Sequence, residues 1–259
     1  MKLNYLKIQD TFNSGSETID TKHIINAVDQ TNIYISELCN LFLELNFDLF
    51  EALGQRNLSG FIGEIYSRFF CLNVSGYCVN PHPDGRPDIL NLNSKESKKF
   101  FEEECFSIIN GKRLPLKSPL TPYKYNGIEI KCTVGSQRSG YKKLLERNIG
   151  KKSFDIGDSR IEYLSGFNFW AHHQHSTDLL SLYYDYHPKI NKNPQILAAF
   201  FSNIEHNDWH KVSLGSKTAK KTSNTSLNTS GLTKLYSGLV TIVDDETYIN
   251  KFKKLGIRL

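Results

Sequence analysis

The sequence lacks most of the features that would assign its class at a glance. No stretch approaches the roughly 20 consecutive apolar residues of a membrane-spanning helix. The opening run MKLNYLKIQDTFNSGSE has no continuous apolar segment of the secretory kind. The protein is therefore expected to be cytoplasmic, with no membrane partner. Cysteine is sparse, and Cys39, Cys71, Cys78, Cys105 and Cys132 are scattered with no C-x2-C spacing. That argues against a disulfide framework, a zinc ribbon and a thioredoxin-like motif, and it leaves small apolar residues of a reduced interior. Cys132 alternates to the face opposite Lys131, which makes it a residue of the sheet core rather than a nucleophile. Internal repeats and low-complexity linkers are missing too, so 1–259 is read as one domain. In HHQH, His173 and His175 share one face of an extended segment and His172 takes the other. With no second pair at ligand spacing they are read as structural or DNA-contacting, and Trp170 and Trp209 as core or interface aromatics.

What is present suits a packed globular protein: 259 residues, 39% hydrophobic and 12% aromatic, with a mildly basic net charge of +5. Residues 1–56 read as a helical region, with two amphipathic helices over 21–54 broken near Asp29–Asn32. A further helix lies in NLSGFIGEIYSRFFCLN, with Ser59 as its N-cap. The core, 57–205, then turns to strands: a turn at Pro83-Asp84-Gly85, an apolar run at Ile89–Leu92, a polar excursion over 94–121, and the strand GIEIKCTV. Further strands are expected in SGFNFWAHH, LLSLYYDY and QILAAFFSNI. Residues 206–259 carry a Lys/Ser/Thr-rich segment and a C-terminal strand. This order predicts an α/β (α+β) fold with a central mixed sheet of about five strands flanked by helices.

In YNGIEIKCTVGSQ, Glu129 and Lys131 fall on one face of a strand while Ile128 and Ile130 take the other. A solvated ion pair explains this as well as an active site does, and Pro87-Asp88 alone reads equally as the exit of a turn. The wider pattern favours chemistry. An acid on a helix, Glu64, is followed by Asp88 at a strand start and by Glu129-x-Lys131. Mg2+ takes oxygen ligands and commonly sits on one or two carboxylates plus substrate phosphate. Asp88 and Glu129 are suited to that, with Lys131 beside the attacking water and Glu64 as an outer ligand. Asp84 competes with Asp88 but sits inside the turn.

Pro87-Asp88 with Glu129-Ile130-Lys131 resembles the signature of the PD-(D/E)xK nucleases. GEIYSRFF is similar to the acid-bearing helix that often precedes it, and the context is most similar to type II restriction endonucleases. The resemblance covers roughly residues 58–135. It implies a restriction-endonuclease-like fold, Mg2+ dependence, a homodimer, and double-stranded DNA as substrate. It further implies metal-binding roles for Asp88 and Glu129, the lysine role for Lys131, and a DNA methyltransferase protecting the same site in the host. A repair or junction-resolving nuclease of the same core, or a DNA-binding module without catalysis, stands as the alternative.

Two basic stretches are candidates for holding DNA. KVSLGSKTAKKTSNTSLNTSGLTK, from Lys211 to Lys234, has five lysines and no acid. There Lys217, Lys220, Lys221, Thr222, Ser223, Asn224, Thr225 and Asn228 offer phosphate charge and hydrogen bonds to base edges. The other follows the GIEIKCTV strand: Gln137, Arg138, Lys142 and Lys143, with Arg147, Lys151 and Lys152 beyond. A mobile loop and a solvated helix face are the plain readings of the same two stretches.

Overall fold

The computed structural model describes residues 2–47, 49, 53, 55–134, 169–170, 177–186, 193–211, 213–214 and 223–259. The chain opens with strand β1 (Tyr5–Lys7) and a hairpin of β2 (Thr11–Ser14) and β3 (Glu17–Asp20). Helices α1 (Thr21–Glu44) and α2 (Gln55–Asn73) follow, then β4 (Tyr77–Val79) and β5 (Ile89–Asn91). An excursion holds α3 (Lys95–Glu104), a hairpin of β6 (Phe106–Ile109) and β7 (Lys112–Pro115), and the short α4 (Lys117–Leu120). Next come β8 (Gly127–Val134), β9 (Phe169–Trp170), β10 (Asp178–Tyr186) and β11 (Pro194–Asn203). The chain ends with β12 (Ser213–Leu214), β13 (Ser223–Thr225), α5 (Thr229–Ser237), β14 (Leu239–Val243) and α6 (Glu246–Lys254).

The main sheet has seven strands in the order β1-β14-β11-β10-β8-β5-β4. All neighbouring pairs are antiparallel except β8 and β10, which run parallel. A parallel pair needs a crossover connection, so β8 is the strand at which a meander gives way to a crossover. The expected mixed sheet is present, with two more strands than the roughly five anticipated. The N-terminal region is not wholly helical either. β1 is only three residues long and carries little alternation, yet it closes the edge beside β14.

Both faces of the sheet are covered, which explains why β11 and β14 are apolar on both sides. On one face α1 and α2 supply Ile24, Val28, Ile35, Ile62, Tyr66 and Phe70, packed on Ile128, Ile130, Leu180, Leu182 and Tyr184. On the other, Leu235, Tyr248 and Phe252 from α5 and α6 meet Leu179, Tyr183, Phe200 and Ile242. The excursion packs Cys105, Leu120 and Tyr123 on Leu90 of β5 as a small third cluster.

Two helix expectations are corrected. α1 is one unbroken helix rather than two, because the polar stretch Asp29–Asn32 does not end it and its second half turns toward the sheet. Thr31 and Asn32 are buried, and Asn32 binds the sheet through both ends of its amide. Its Nδ2 donates to the Tyr5 hydroxyl at 2.8 Å and to the Ile196 carbonyl at 3.1 Å, while its Oδ1 accepts from the Ile196 N–H at 2.8 Å. Ser59 lies inside α2 and not at its cap, and its hydroxyl shares a 2.9 Å hydrogen bond with the Tyr184 hydroxyl. In both cases a tertiary contact uses a polar side chain that looked like a local stop signal.

Asn32→Ala leaves the Ile196 N–H buried without its acceptor, which costs on the order of 1–3 kcal/mol. Urea unfolding should give a lower midpoint at unchanged slope, and an unaltered midpoint would show that the amide does not tie α1 to β11.

Candidate active site

The site forms where β5 meets β8. The antiparallel register sets Ile89 opposite Ile128 and Leu90 opposite Gly127, which brings Asp88, one residue before β5, beside Glu129. Gly127 makes the approach possible. Its φ is +156°, and a Cβ there would overlap the Ile89 carbonyl oxygen and come within 2.6 Å of the Pro87 ring. Residues forty-one positions apart in the chain are thus held side by side by strand pairing. The loop before β5 is pinned as well, since Asn80 Nδ2 donates to the carbonyls of Pro87 at 3.0 Å and Leu120 at 3.1 Å.

Alternation along β8 falls as expected. Ile128 and Ile130 join the core under α1 and α2, and Glu129 and Lys131 point to the other face. Glu129 is fully buried, which excludes a solvated surface pair. A buried carboxylate needs compensation, and Lys131 Nζ supplies it at 2.9 Å from Glu129 Oε1. Asp88 Oδ2 accepts the Ile130 N–H at 2.8 Å. Asp88 Oδ1 lies 3.3 Å from Arg86 Nη1, and Arg86 Nε lies 3.9 Å from Glu129 Oε1. Burial, and then repulsion from Glu129, push the Asp88 carboxyl up to about 6, against the pull of Lys131, the Ile130 N–H and Arg86. Asp88 and Glu129 thus supply a carboxylate pair with two flanking cations.

Arg86 is a member that sequence reasoning missed, although its place two residues before Asp88 in GRPD was a signal. Ser181 is another. In the parallel β8/β10 ladder it stands beside Lys131, its hydroxyl is buried, and it makes no hydrogen bond among the described residues.

The other expected residues divide clearly. Asp84, the competitor for the metal role, is exposed and committed to Lys117 at 2.8 Å, which holds its carboxyl below the usual range. Glu64 is exposed on α2. Its neighbour Gly63 lies against Ile130 and Cys132, the face opposite Glu129, and no hydrogen bond or ion pair joins Glu64 to Asp88, Glu129 or Lys131 among the described residues. No group of three or more His, Cys, Asp or Glu side chains is placed to hold a metal among those residues. The donor set there is the Asp88–Glu129 pair, a hard oxygen pair of the kind Mg2+ uses together with substrate phosphate. Cys132 packs toward α2, and burial pushes its thiol up to about 12, in keeping with a core residue.

Of the DNA-contact candidates, Gln137, Arg138, Lys142, Lys143, Lys217, Lys220, Lys221 and Thr222 lie outside the described residues, as do His172, His173 and His175. Ser223 and Asn224 stand on β13, which pairs with β9 and β12. Thr225 and Asn228 have roles within the fold. Thr225 is buried and its hydroxyl donates to the His210 carbonyl at 2.9 Å. Asn228 caps α5, accepting from the Gly231 N–H at 3.1 Å and donating to the Asn207 carbonyl at 2.7 Å. Lys234 also departs from expectation, since Asp208 at 2.6 Å and Glu205 at 3.2 Å hold its ammonium. Among the described residues, no helix is long and apolar enough to cross a membrane.

Comparison of the chain with protein-family models, with curated proteins and with solved structures finds no match.

The Asp88 environment predicts a pH dependence. Its carboxyl titrates higher in the fold than in the unfolded chain, so its contribution to stability is complete below about pH 4 and is lost as pH rises through 6. Asp88→Asn keeps an acceptor for the Ile130 N–H and removes the charge. In EDTA it should be more stable than the parent above pH 6, by ~1–3 kcal/mol, with the gain fading toward pH 4. Parallel urea midpoints across that range would show that the carboxyl is not under this strain.

Proposed function

We propose that the protein is a Mg2+-dependent endonuclease of double-stranded DNA, of the PD-(D/E)xK family its motif resembles and of the type II restriction kind. The observation that carries this reading is the meeting of Asp88, Glu129 and Lys131 on one sheet face, two of them buried or half-buried carboxylates. Solvated chance matches to the motif have no reason to converge at a strand junction with a lysine at 2.9 Å. The mixed sheet flanked by helices on both faces agrees with the fold that the resemblance implies.

Asp88 and Glu129 are the residues that would hold the metal. A bound Mg2+ supplies an acidified water and positive charge against the scissile phosphate. Lys131 holds its ammonium beside Glu129, where it orients the attacking water and offsets charge developing on phosphate oxygens. The Ile130 N–H fixes one oxygen of Asp88, so the carboxylate presents a defined edge. Ser181 sets a hydroxyl beside Lys131 on the same face. The reading rests on these residues and leaves Glu64 out. The basic stretches 138–152 and 217–221 supply phosphate attraction. A palindromic site would call for a two-fold pair of such chains and a methyltransferase to protect host DNA.

Plasmid digestion with Mg2+ against EDTA is the test. Discrete, EDTA-sensitive fragments support the restriction reading, a smear or branched-only cutting supports a repair or resolving nuclease, and binding without cutting supports a DNA-binding module. Lys131→Ala and Asp88→Ala should each lower cleavage by at least about a hundredfold, a few kcal/mol of transition-state stabilisation, while binding in gel shifts persists. Full activity in either variant places the chemistry elsewhere. Exchange of Lys220 and Lys221 for Ala should make the salt dependence of DNA binding shallower by roughly 1–2 in log–log slope. An unchanged slope removes those lysines from the interface.

A further inference from the structure

Arg86 is a cation that reaches toward both members of the carboxylate pair. Its backbone is fastened on both sides: the N–H donates to the Leu120 carbonyl at 2.9 Å, and its carbonyl accepts from the Tyr123 N–H at 2.8 Å. The side chain turns from that anchor to the site. Nη1 reaches the Gly85 carbonyl at 2.9 Å and Asp88 Oδ1 at 3.3 Å, while Nε lies 3.9 Å from Glu129 Oε1. Asp88 and Glu129 are thus approached by one guanidinium, and neither contact to a carboxylate is short or bidentate, the geometry that makes such pairs strong. The side chain is 27% exposed. Lys131 differs, with a single short contact to Glu129.

We propose that Arg86 is the resident counter-ion of the Asp88–Glu129 pair, and that it competes with a divalent cation for those carboxylates and turns to a substrate phosphate when the cation binds. This rests on the nuclease reading above and adds a coupling to it. A planar, permanently charged guanidinium suits carboxylate and phosphate alike. Withdrawn by DNA, it leaves the carboxylates more negative and the metal better held. By linkage the metal then raises affinity for DNA by the same factor. In the free protein Arg86 keeps the pair neutralised and the affinity for metal low.

The test reads metal binding rather than cleavage. Mg2+ is titrated calorimetrically at pH 8 into the parent protein and into Arg86→Gln, alone and with a hydrolysis-resistant phosphorothioate duplex. Removal of a unit charge a few ångströms from a divalent ion should tighten Mg2+ binding to the DNA-free variant by at least about tenfold. The duplex should tighten Mg2+ binding to the parent markedly and to Arg86→Gln much less. Arg86→Lys, which keeps the charge, should behave as the parent does. Equal or weaker Mg2+ binding by Arg86→Gln overturns the inference, and so does an equal duplex effect in the two proteins. If Arg86→Gln does not fold, a parent protein whose Mg2+ affinity ignores the duplex overturns it as well. Should the parent cut plasmid in Mg2+ while Arg86→Gln gains no affinity, only the role of Arg86 fails. Should no Mg2+ binding depend on Asp88, the nuclease reading falls and this inference with it.

Discussion

The site depends on a charge balance set up by one strand pairing. β5 and β8 lie close enough, through Gly127, to press Asp88 against a buried Glu129. Burial and repulsion from Glu129 both disfavour the charged form of Asp88. Lys131 and Arg86 answer with two positive charges, so four ionised groups form a nearly neutral set at the edge of the core. Loss of either cation leaves a buried carboxylate uncompensated, which is far more costly than the loss of a surface ion pair.

The rest of the fold holds that pairing steady. β8 lies in the interior of the sheet, with β5 on one side and β10 on the other. Its apolar face packs under α2, with Gly63 lying over Ile130 and Cys132. The α1 helix is bonded to β11 through the Asn32 amide, so the helical layer cannot slide along the sheet without breaking those hydrogen bonds. Precision in a charged cluster thus rests on polar contacts some distance from it.

Much of this was legible in the sequence because strand periodicity is strict. Alternation alone put Glu129 and Lys131 on one face and Ile130 and Cys132 on the other, and the long apolar runs of β10 and β11 were evident. What escaped notice was tertiary. Asp29–Asn32 read as a helix break because those residues are poor helix formers, while burial and the Asn32 amide make that stretch a joint with the sheet. Ser59 read as a cap for the same reason. Asn228 and Lys234 looked like free polar groups in a lysine-rich stretch, yet the acids that hold Lys234, Glu205 and Asp208, lie before that stretch in sequence. Arg86 was passed over because its second carboxylate, Glu129, becomes a neighbour only when two strands pair.

Residues 92–126 leave the sheet at the end of β5 and return at the start of β8, two points already adjacent. Lengthening a connection between neighbouring ends costs entropy only logarithmically, and this one packs on β4 and β5 through a small cluster while its outlying hairpin leaves Ile108 and Ile109 exposed. Its outlying hairpin is therefore replaceable, whereas Leu120 and Tyr123 at its return anchor Asn80 and Arg86 beside the site. A chain with a shorter hairpin there, or with a module added at its tip, would keep the same four charges at the same corner of the sheet. For sites of this type the spacing between the two halves of the motif carries almost no information, and the ladder register carries nearly all of it.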